Sequence, residues 1–404
     1  MARIVQKFGG TSVSDIDRIK SVALRVKAEV ERGSEVVAVV SAMSGVTNKL
    51  VEYCSNVTNM SDAREYDTIV STGEQVTSGL LSLALQELGI DARSWSGWQI
   101  PVITDGVHGK ARILKINSES LVPLIKQGQV AVVAGFQGIG PDNRITTLGR
   151  GGSDTTAVAL AAAINADRCD IFTDVEGIYT ADPRIVPNAK KLNKITYEEI
   201  LEMASLGAKV LQTRSVEMAM KHRLRVQVLS SFSDAPGTLV CDEDEIVEKE
   251  LVSGIAYSHD EAKVTILGVE DQPGVAAGIF GPLADANINV DMIVQNASED
   301  GTTDITFTTG RAELDRALKV VKDNMKIPYR SINSDRSVIK VSVIGVGMRS
   351  HAGVAQTMFT ALADKNINIH IISTSEIKVS VLISESYKEL ALRALHTAYG
   401  LDSA

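Results

Sequence analysis

The sequence predicts an α/β chain: a three-layer α/β/α domain with a mainly parallel sheet, followed by two ferredoxin-like βαββαβ units. Three observations predict it. Continuous branched runs such as VVAVV at 36–40 alternate with helical patterns through the first half, the mark of a parallel sheet covered on both faces. A stretch of linker composition, SFSDAPGTLV and then CDEDEIVEKE, interrupts the pattern from Ser231. Beyond it, one succession of strand, loop, helix, strand, strand occurs twice.

The elements follow in order. Arg3–Gln6 reads as a short strand running into the loop KFGGTS. Ile16, Ile19, Val22, Ala23, Val26 and Val30 recur at spacings of three and four, so a helix follows. Ser14 with Asp17 reads as its capping box and Gly33 as its stop. Val36–Val40 is a buried strand. The same logic gives a helix from Thr72 to Leu88, a strand Val130–Ala134, a helix from Ser153 to Ile164 and a strand Asp170–Thr173.

In the second half, KVTILGVEDQPGVAAGIFGPLADANINVDMIVQN aligns with KVSVIGVGMRSHAGVAQTMFTALADKNINIHIISTS. The offset is a constant 79 residues from Gly274 and Gly353 onward. Each copy reads as βαββ with further helix and strand, a duplicated module. The expected boundaries are a first domain at 1–240, an acidic linker and lead-in strand at 241–262, and modules at 263–336 and 337–404.

Composition bounds the function. With 404 residues, 44% hydrophobic and 23% charged, the chain can build sizeable cores. A net charge of −9 weighs against a nucleic-acid binder, which shows a basic face. Cys54, Cys169 and Cys241 are far apart in sequence, which fits reduced thiols rather than a disulfide framework. MARIVQKFGG lacks the apolar region of a signal peptide, and no apolar run reaches the ~18 residues of a membrane span. The expectation is a soluble, cytoplasmic protein without a membrane partner.

Several strings carry chemistry. In KFGGTS, Gly9 and Gly10 let the backbone approach an anion at a helix start, and Lys7 adds a positive charge. Alone, the string reads equally as a tight turn with a solvated lysine. TTLGRGGSDTT, Thr146–Thr156, sets three glycines and Arg150 before a helix opened by Ser153 and Asp154. Arg150 suits a bidentate clamp on a carboxylate or phosphate, and Asp154 could hold Mg²⁺ or orient a cation. Ser153 or Asp154 could also simply cap the helix. FTDVEGIYTADPR, Phe172–Arg184, follows a strand, where α/β sheets bind ligands. VSAMSGVTNKL and STGEQ add Ser41, Thr47 and Glu74. Glu74 could pair with a substrate ammonium or merely complement a helix dipole.

KFGGTSV, VVSAMSGVTN, STGEQ, TLGRGGSDTTA, FTDVEGIYTADPR and MASLGAKVLQ, in that order from Lys7 to Gln212, resemble the aspartate kinases of the amino-acid-kinase superfamily. The duplicate resembles their tandem ACT domains. The resemblance implies ATP-dependent phosphorylation of the L-aspartate side-chain carboxylate to 4-phospho-L-aspartate, the first step toward lysine, methionine, threonine and isoleucine. It implies Lys7 and Asp154 as catalytic residues. Ser41, Thr47, Glu74, Arg150 and Gly151, with Asp154, would bind aspartate. Lys7, Gly9, Gly10, Thr173, Asp174, Tyr179, Arg184 and Lys209 would bind ATP. Mg²⁺ would be held mainly by ATP rather than by a protein cage.

The same resemblance implies feedback inhibition by lysine, threonine or both. Asp271, Gly274, Ala276, Gln295, Asn368 and Ile369 match positions of a threonine site, and Asp291, His351, Val354, Ser375 and Glu376 those of a lysine site. Related short enzymes are homo-oligomers or α₂β₂ assemblies joined through ACT domains. No methionine lies between Met220 and Met292, so an internal start at the linker would need another codon. Three rivals stand beside this reading. One is a superfamily kinase with another carboxylate, carbamate or nucleotide substrate. Another is a non-catalytic amino-acid sensor. A dinucleotide binder is the third, but its glycine fingerprint is missing.

Overall fold

The computed structural model describes residues 1–59, 62–207, 210–246, 251–297, 301–324 and 327–402. They form two compact units. The first holds residues 1–178, 191–204 and 209–248; the second holds 179–190, 205–208 and 249–404.

The first unit is built on an eight-stranded sheet. Its order is Lys194–Thr196, Thr238–Cys241, Val226–Ser230, Arg168–Thr173, Arg3–Phe8, Glu35–Val40, Val130–Ala134, Ala92–Trp95. Every pairing is parallel except that of Val226–Ser230 with Thr238–Cys241. The continuous apolar runs have a direct cause. Val36, Ala38 and Val40 pack into the core with Ile19, Val22, Val26, Leu81 and Leu85, while Val37 and Val39, pointing the opposite way, are also fully buried. Each such Ile or Leu contributes about 1.5–3 kcal/mol by leaving water. Helix Gly152–Ala163 is buried almost all round, which explains its small, apolar composition. A four-stranded sheet of Ile113–Ile116, Val102–Thr104, Gln137–Ile139 and Ile145–Thr147 completes the unit.

Two capping expectations are corrected. Helix Ile16–Glu31 is capped by Asp15, whose Oδ1 accepts from Arg18 N at 2.9 Å. Ser14 instead donates to Asp15 at 2.8 Å, because the helix starts one residue later than a Ser14 cap requires. Gly33 does stop it, with φ +87°. Helix Gly152–Ala163 has Gly151 at its cap, with no side-chain cap bond, so neither Ser153 nor Asp154 serves that purpose.

The second unit contains two four-stranded antiparallel sheets. One is Val290–Ala297, Thr302–Thr309, Ala262–Glu270, Ser331–Asp335; the other is Gly254–Ser258, Val338–Ile344, Lys378–Ser384, Ile369–Thr374. The second copy therefore departs from a self-contained βαββαβ order. Its fourth strand, Gly254–Ser258, comes from the lead-in segment before the first copy. Among the described residues, no strand follows the last helix, Lys388–Ala398.

The repeat extends to fine structure. Gly274 and Gly353 cap the matching helices at φ +96° and +102°. Asn287 and Asn366 take left-handed turns at φ +52° and +53° after them. Both following strands slip register near their starts, between Val290 and Ile293 and between Ile369 and Ile371. Thus the first Asn of each Asn-x-Asn pair is a turn residue, for which Asn is suited among non-glycines.

Residues 179–190, inside the FTDVEGIYTADPR motif and beyond, belong to this second unit. Ala181, Ile185 and Val186 enter its core with Leu392 and Leu395. Thr180 Oγ1 accepts from Lys190 N at 3.0 Å and meets the buried His396 Nε2 at 2.9 Å.

Candidate active site

The carboxyl ends of the central parallel strands collect the predicted catalytic residues, where a parallel sheet leaves a crevice. Lys7 precedes the last residue of strand Arg3–Phe8, and Asp154 lies in the first turn of helix Gly152–Ala163. Lys7 Nζ lies 2.6 Å from Asp154 Oδ1, and both residues are buried. The helix N-terminus also favours the carboxylate. Gly9 and Gly10 follow directly and are half-buried; Gly9 N donates to Phe172 O at 3.3 Å across the neighbouring strand.

Ser41 follows the adjacent strand, and its N–H donates to Phe8 O at 3.1 Å. Thr47 sits in the first turn of helix Val46–Val57. Glu74 is in the first turn of helix Thr72–Glu87 and is 3% exposed. Its Oε1 accepts from Ala42 N at 3.1 Å, which ties it to the SAMSG loop. Its Oε2 is buried and finds no hydrogen-bond partner among the described residues. Burial pushes the Glu74 carboxyl up to about 7. A buried carboxylate oxygen without a partner is costly, and a cationic ligand group would remove that cost.

Arg150 is exposed, in the loop between strand Ile145–Thr147 and helix Gly152–Ala163. Gly151 takes φ +70°, and a Cβ there would fall 1.8 Å from Gln212 Cγ, so the loop requires glycine at that position. Arg214 holds the same loop by donating to Leu148 O at 2.7 Å and Ala111 O at 3.0 Å. A cavity of about 790 Å³, lined among others by Lys115, Ala162 and Lys221, reaches the predicted site residues only at Arg150. The Lys7–Asp154–Glu74 group lies outside that lining.

The predicted nucleotide residues divide. Thr173 ends its strand, half-buried, with its hydroxyl donating to Asp174 Oδ1 at 3.2 Å. Tyr179 and Arg184 belong to the second unit, where Arg184 Nη2 lies 2.8 Å from Asp182 Oδ2. Lys209 lies outside the described residues. Sequence reasoning missed Ser231, whose N–H donates to Thr173 O at 2.8 Å and whose hydroxyl lies 2.5 Å from that of Ser12. The available signal was the hydroxyl run at the end of the parallel strand Val226–Ser230. It also missed Gly135 and Phe136, the latter at φ +70°, whose N–H donates to Thr156 Oγ1 at 3.1 Å. Among the described residues, no group of three or more His, Cys, Asp or Glu could hold a metal ion. No helix there is long and apolar enough to cross a membrane.

The effector candidates lie in the second unit at matching places of the two copies. Asp271, Gly274 and Ala276 surround the start of helix Val275–Asp285, and Asp271 N donates to Gly301 O at 3.0 Å. His351 and the buried Val354 surround the start of helix Val354–Ala363, with His351 Nδ1 2.9 Å from Gly347 O. Gln295 lies exposed on strand Val290–Ala297. Asn368 and Ile369 open the equivalent strand; Ser375 and Glu376 are exposed in the turn that ends it, with Glu376 3.6 Å from Arg349. Asp291 already has a partner, the ammonium of Lys340, which also lies 2.9 Å from Glu261. Burial works against the Lys340 charge, but the two carboxylates outweigh it and hold its pKa above the usual lysine value.

Comparison with known proteins places this geometry. Residues 2–230 match the amino acid kinase family, and residues 263–324 and 341–399 each match the ACT domain. The aspartokinase of Pseudomonas aeruginosa is 56% identical over 406 residues, covering 100% of this chain and 98% of its own. Among solved structures, E. coli aspartokinase III in complex with aspartate and ADP (R-state) has a TM-score of 0.79 at 28% identity, covering 98% of this chain and 99% of that one. The same enzyme with lysine and aspartate (T-state) has a TM-score of 0.75 at 28% identity, over 98% of each chain.

Proposed function

This chain belongs to the aspartate kinase family, and from that membership we infer that it transfers the γ-phosphoryl group of ATP to the side-chain carboxylate of L-aspartate. The product is 4-phospho-L-aspartate. The observation that carries the substrate assignment is the buried Glu74 Oε2 without a partner. It suits the α-ammonium of an amino acid, and Arg150, on the loop before helix Gly152–Ala163, suits the α-carboxylate. Ser41 and Thr47 line the same pocket. The complex of E. coli aspartokinase III with aspartate and ADP supports this reading.

The nucleophile is an anion at neutral pH, so no general base is needed. The obstacle is repulsion between a carboxylate and a triphosphate, and catalysis reduces to positioning and charge neutralisation. Lys7 brings its ammonium to the end of the strand where Gly9 and Gly10 admit phosphate oxygens. Asp154 holds that ammonium in place. Thr173 and Asp174 serve the nucleotide. Mg²⁺ would be carried by the triphosphate, where it would neutralise charge.

The ACT modules make feedback control by lysine, threonine or both part of the proposal, and the lysine complex of E. coli aspartokinase III favours lysine. A dimeric core through the ACT modules is supported by the edge strands Val290–Ala297 and Ile369–Thr374, which expose Ile293 and Ile372. One assay tests substrate and control together. Acyl phosphate is trapped with hydroxylamine across several amino acids, and the aspartate reaction is repeated with lysine, threonine, both and neither. Product with aspartate alone, suppressed by an effector, is expected. Product with another carboxylate in preference, or full activity in all four conditions, refutes the corresponding part.

A further inference from the structure

Asp67 is fully buried, on helix Ala63–Val70, and belongs to none of the motifs that carry the site. Its carboxylate collects four donors from two distant segments. Oδ2 accepts from His108 Nδ1 at 2.8 Å, Gly109 N at 3.0 Å and Thr147 N at 3.0 Å; Oδ1 accepts from Thr147 Oγ1 at 2.5 Å. A fully buried carboxylate is tolerated only when so satisfied.

The two ends of this strut are informative. Asp67 O also accepts from Ser71 N at 3.2 Å, and Ser71 leads directly into the helix that carries Glu74 in its first turn. Thr147 ends the strand Ile145–Thr147, three residues before Arg150. The loop Gly106–Lys110, also gripped by Asp67, packs against the Arg150 loop. Gly149 takes φ +77°, and a Cβ on it would lie 3.0 Å from Gly109 O. Gln137 Nε2, donating to Ser71 O at 3.0 Å, adds a second tie on the Glu74 side.

We propose that Asp67 is a positioning residue that fixes the Arg150 loop relative to Glu74, and thereby sets the spacing of the two groups that grip the amino-acid end of the substrate. The inference rests on the assignment of Glu74 and Arg150 to the substrate ammonium and carboxylate. It goes beyond that assignment by naming what holds the two anchors at one separation.

Asp67→Asn keeps the shape but turns an NH₂ donor toward Thr147 or His108. The expected result is a rise in the KM for aspartate of roughly tenfold or more, with the KM for ATP changed less than about twofold and a native circular dichroism spectrum. An unchanged aspartate KM in the folded variant overturns the proposal, as does an equal rise in both KM values. Thr147→Val and Thr147→Ser keep the question answerable if Asp67→Asn does not fold. The valine variant loses the hydroxyl donor and should raise the aspartate KM, whereas the serine variant should restore it. Identical behaviour of the two overturns the strut. Direct titration of Glu74→Gln with aspartate separates the layers. Unchanged affinity there refutes the underlying site assignment, whereas weakened affinity with an unaffected Asp67→Asn refutes only the positioning role.

Discussion

Lys7 Nζ lies 2.6 Å from Asp154 Oδ1, joining the end of the first strand to the first turn of the helix that follows the glycine-rich Arg150 loop. In the proposed function the pair acts as a unit: the lysine supplies charge, and the carboxylate fixes where that charge points. Either Lys7→Ala or Asp154→Ala should lower kcat by roughly 10²-fold or more. The double variant should be little worse than the poorer single one, because residues that act together are not additive. Steady-state kinetics on the three proteins checks this. Near-normal turnover in either single variant removes that residue from the catalytic assignment.

Glu74 gives the pH dependence its sign. Burial lifts its carboxyl from an ordinary 4.5 to about 7, and only the ionised form pairs with an ammonium. The kcat/KM for aspartate should therefore rise as pH climbs through about 7 and level off above it. For the unliganded fold the sign reverses. The raised value contributes stability that is present below about 4.5 and is lost as pH rises through about 7. Glu74→Gln should remove the step from both profiles. A step that survives in the glutamine variant assigns it to another group.

Lys340 holds two carboxylates, and they are not equivalent. Glu261 is buried, whereas the Asp291 side chain is 58% exposed. Lys340→Met strands a buried carboxylate and should lower unfolding stability by about 3 kcal/mol or more. Asp291→Asn should cost less than about 1 kcal/mol yet weaken inhibition by lysine, if Asp291 contacts that effector. Urea unfolding beside inhibition curves separates the two. Equal destabilisation by both variants would contradict the inequality.

The Thr180 hydroxyl accepts from Lys190 N and lies 2.9 Å from His396 Nε2, and we assign the hydroxyl as donor to a neutral imidazole in that contact. Burial lowers the His396 pKa and favours the neutral imidazole, which in this assignment carries its proton on Nδ1. His396→Leu leaves a buried hydroxyl donor unmet and should cost about 1–3 kcal/mol, while His396→Gln, which keeps an acceptor, should cost less. Because the folded-state value is depressed, the stability this histidine contributes is present above its ordinary 6.5 and lost as pH falls. Melting curves of the three proteins at pH 7.5 and in mild acid, about pH 5.5, test both statements. A leucine variant as stable as the wild type would refute the hydrogen-bond assignment.

The parallel sheet, its helices and the duplicated modules were legible because each depends on local periodicity and on the punctuation of Gly, Asn and acidic residues. Lys7, Asp154, the glycine loop and Glu74, the residues of the proposed site, stood out as residue types at strand ends and helix starts. Other features depended on distant partners. Asp67 reads as an ordinary helix residue until Thr147 and His108 close around it. Asp15 displaced Ser14 as a cap because a one-residue shift in helix start reassigns the side chain that reaches the free N–H groups.

The sequence by itself determined the α/β class, the mainly parallel sheet of the first half and the duplicated modules of the second, whereas the stretch read as linker from Ser231 holds the sheet strand Thr238–Cys241. Tertiary structure decided that strand Gly254–Ser258 completes the later module rather than the earlier one. It also decided that residues 179–190 fold with the modules, and that the buried Asp67 carboxylate meets Thr147 and His108. The physical reason is the same in each case. Strand pairing and buried-charge satisfaction are contacts between residues tens to hundreds of positions apart, and periodicity within a short window carries no information about which distant group will supply the partner.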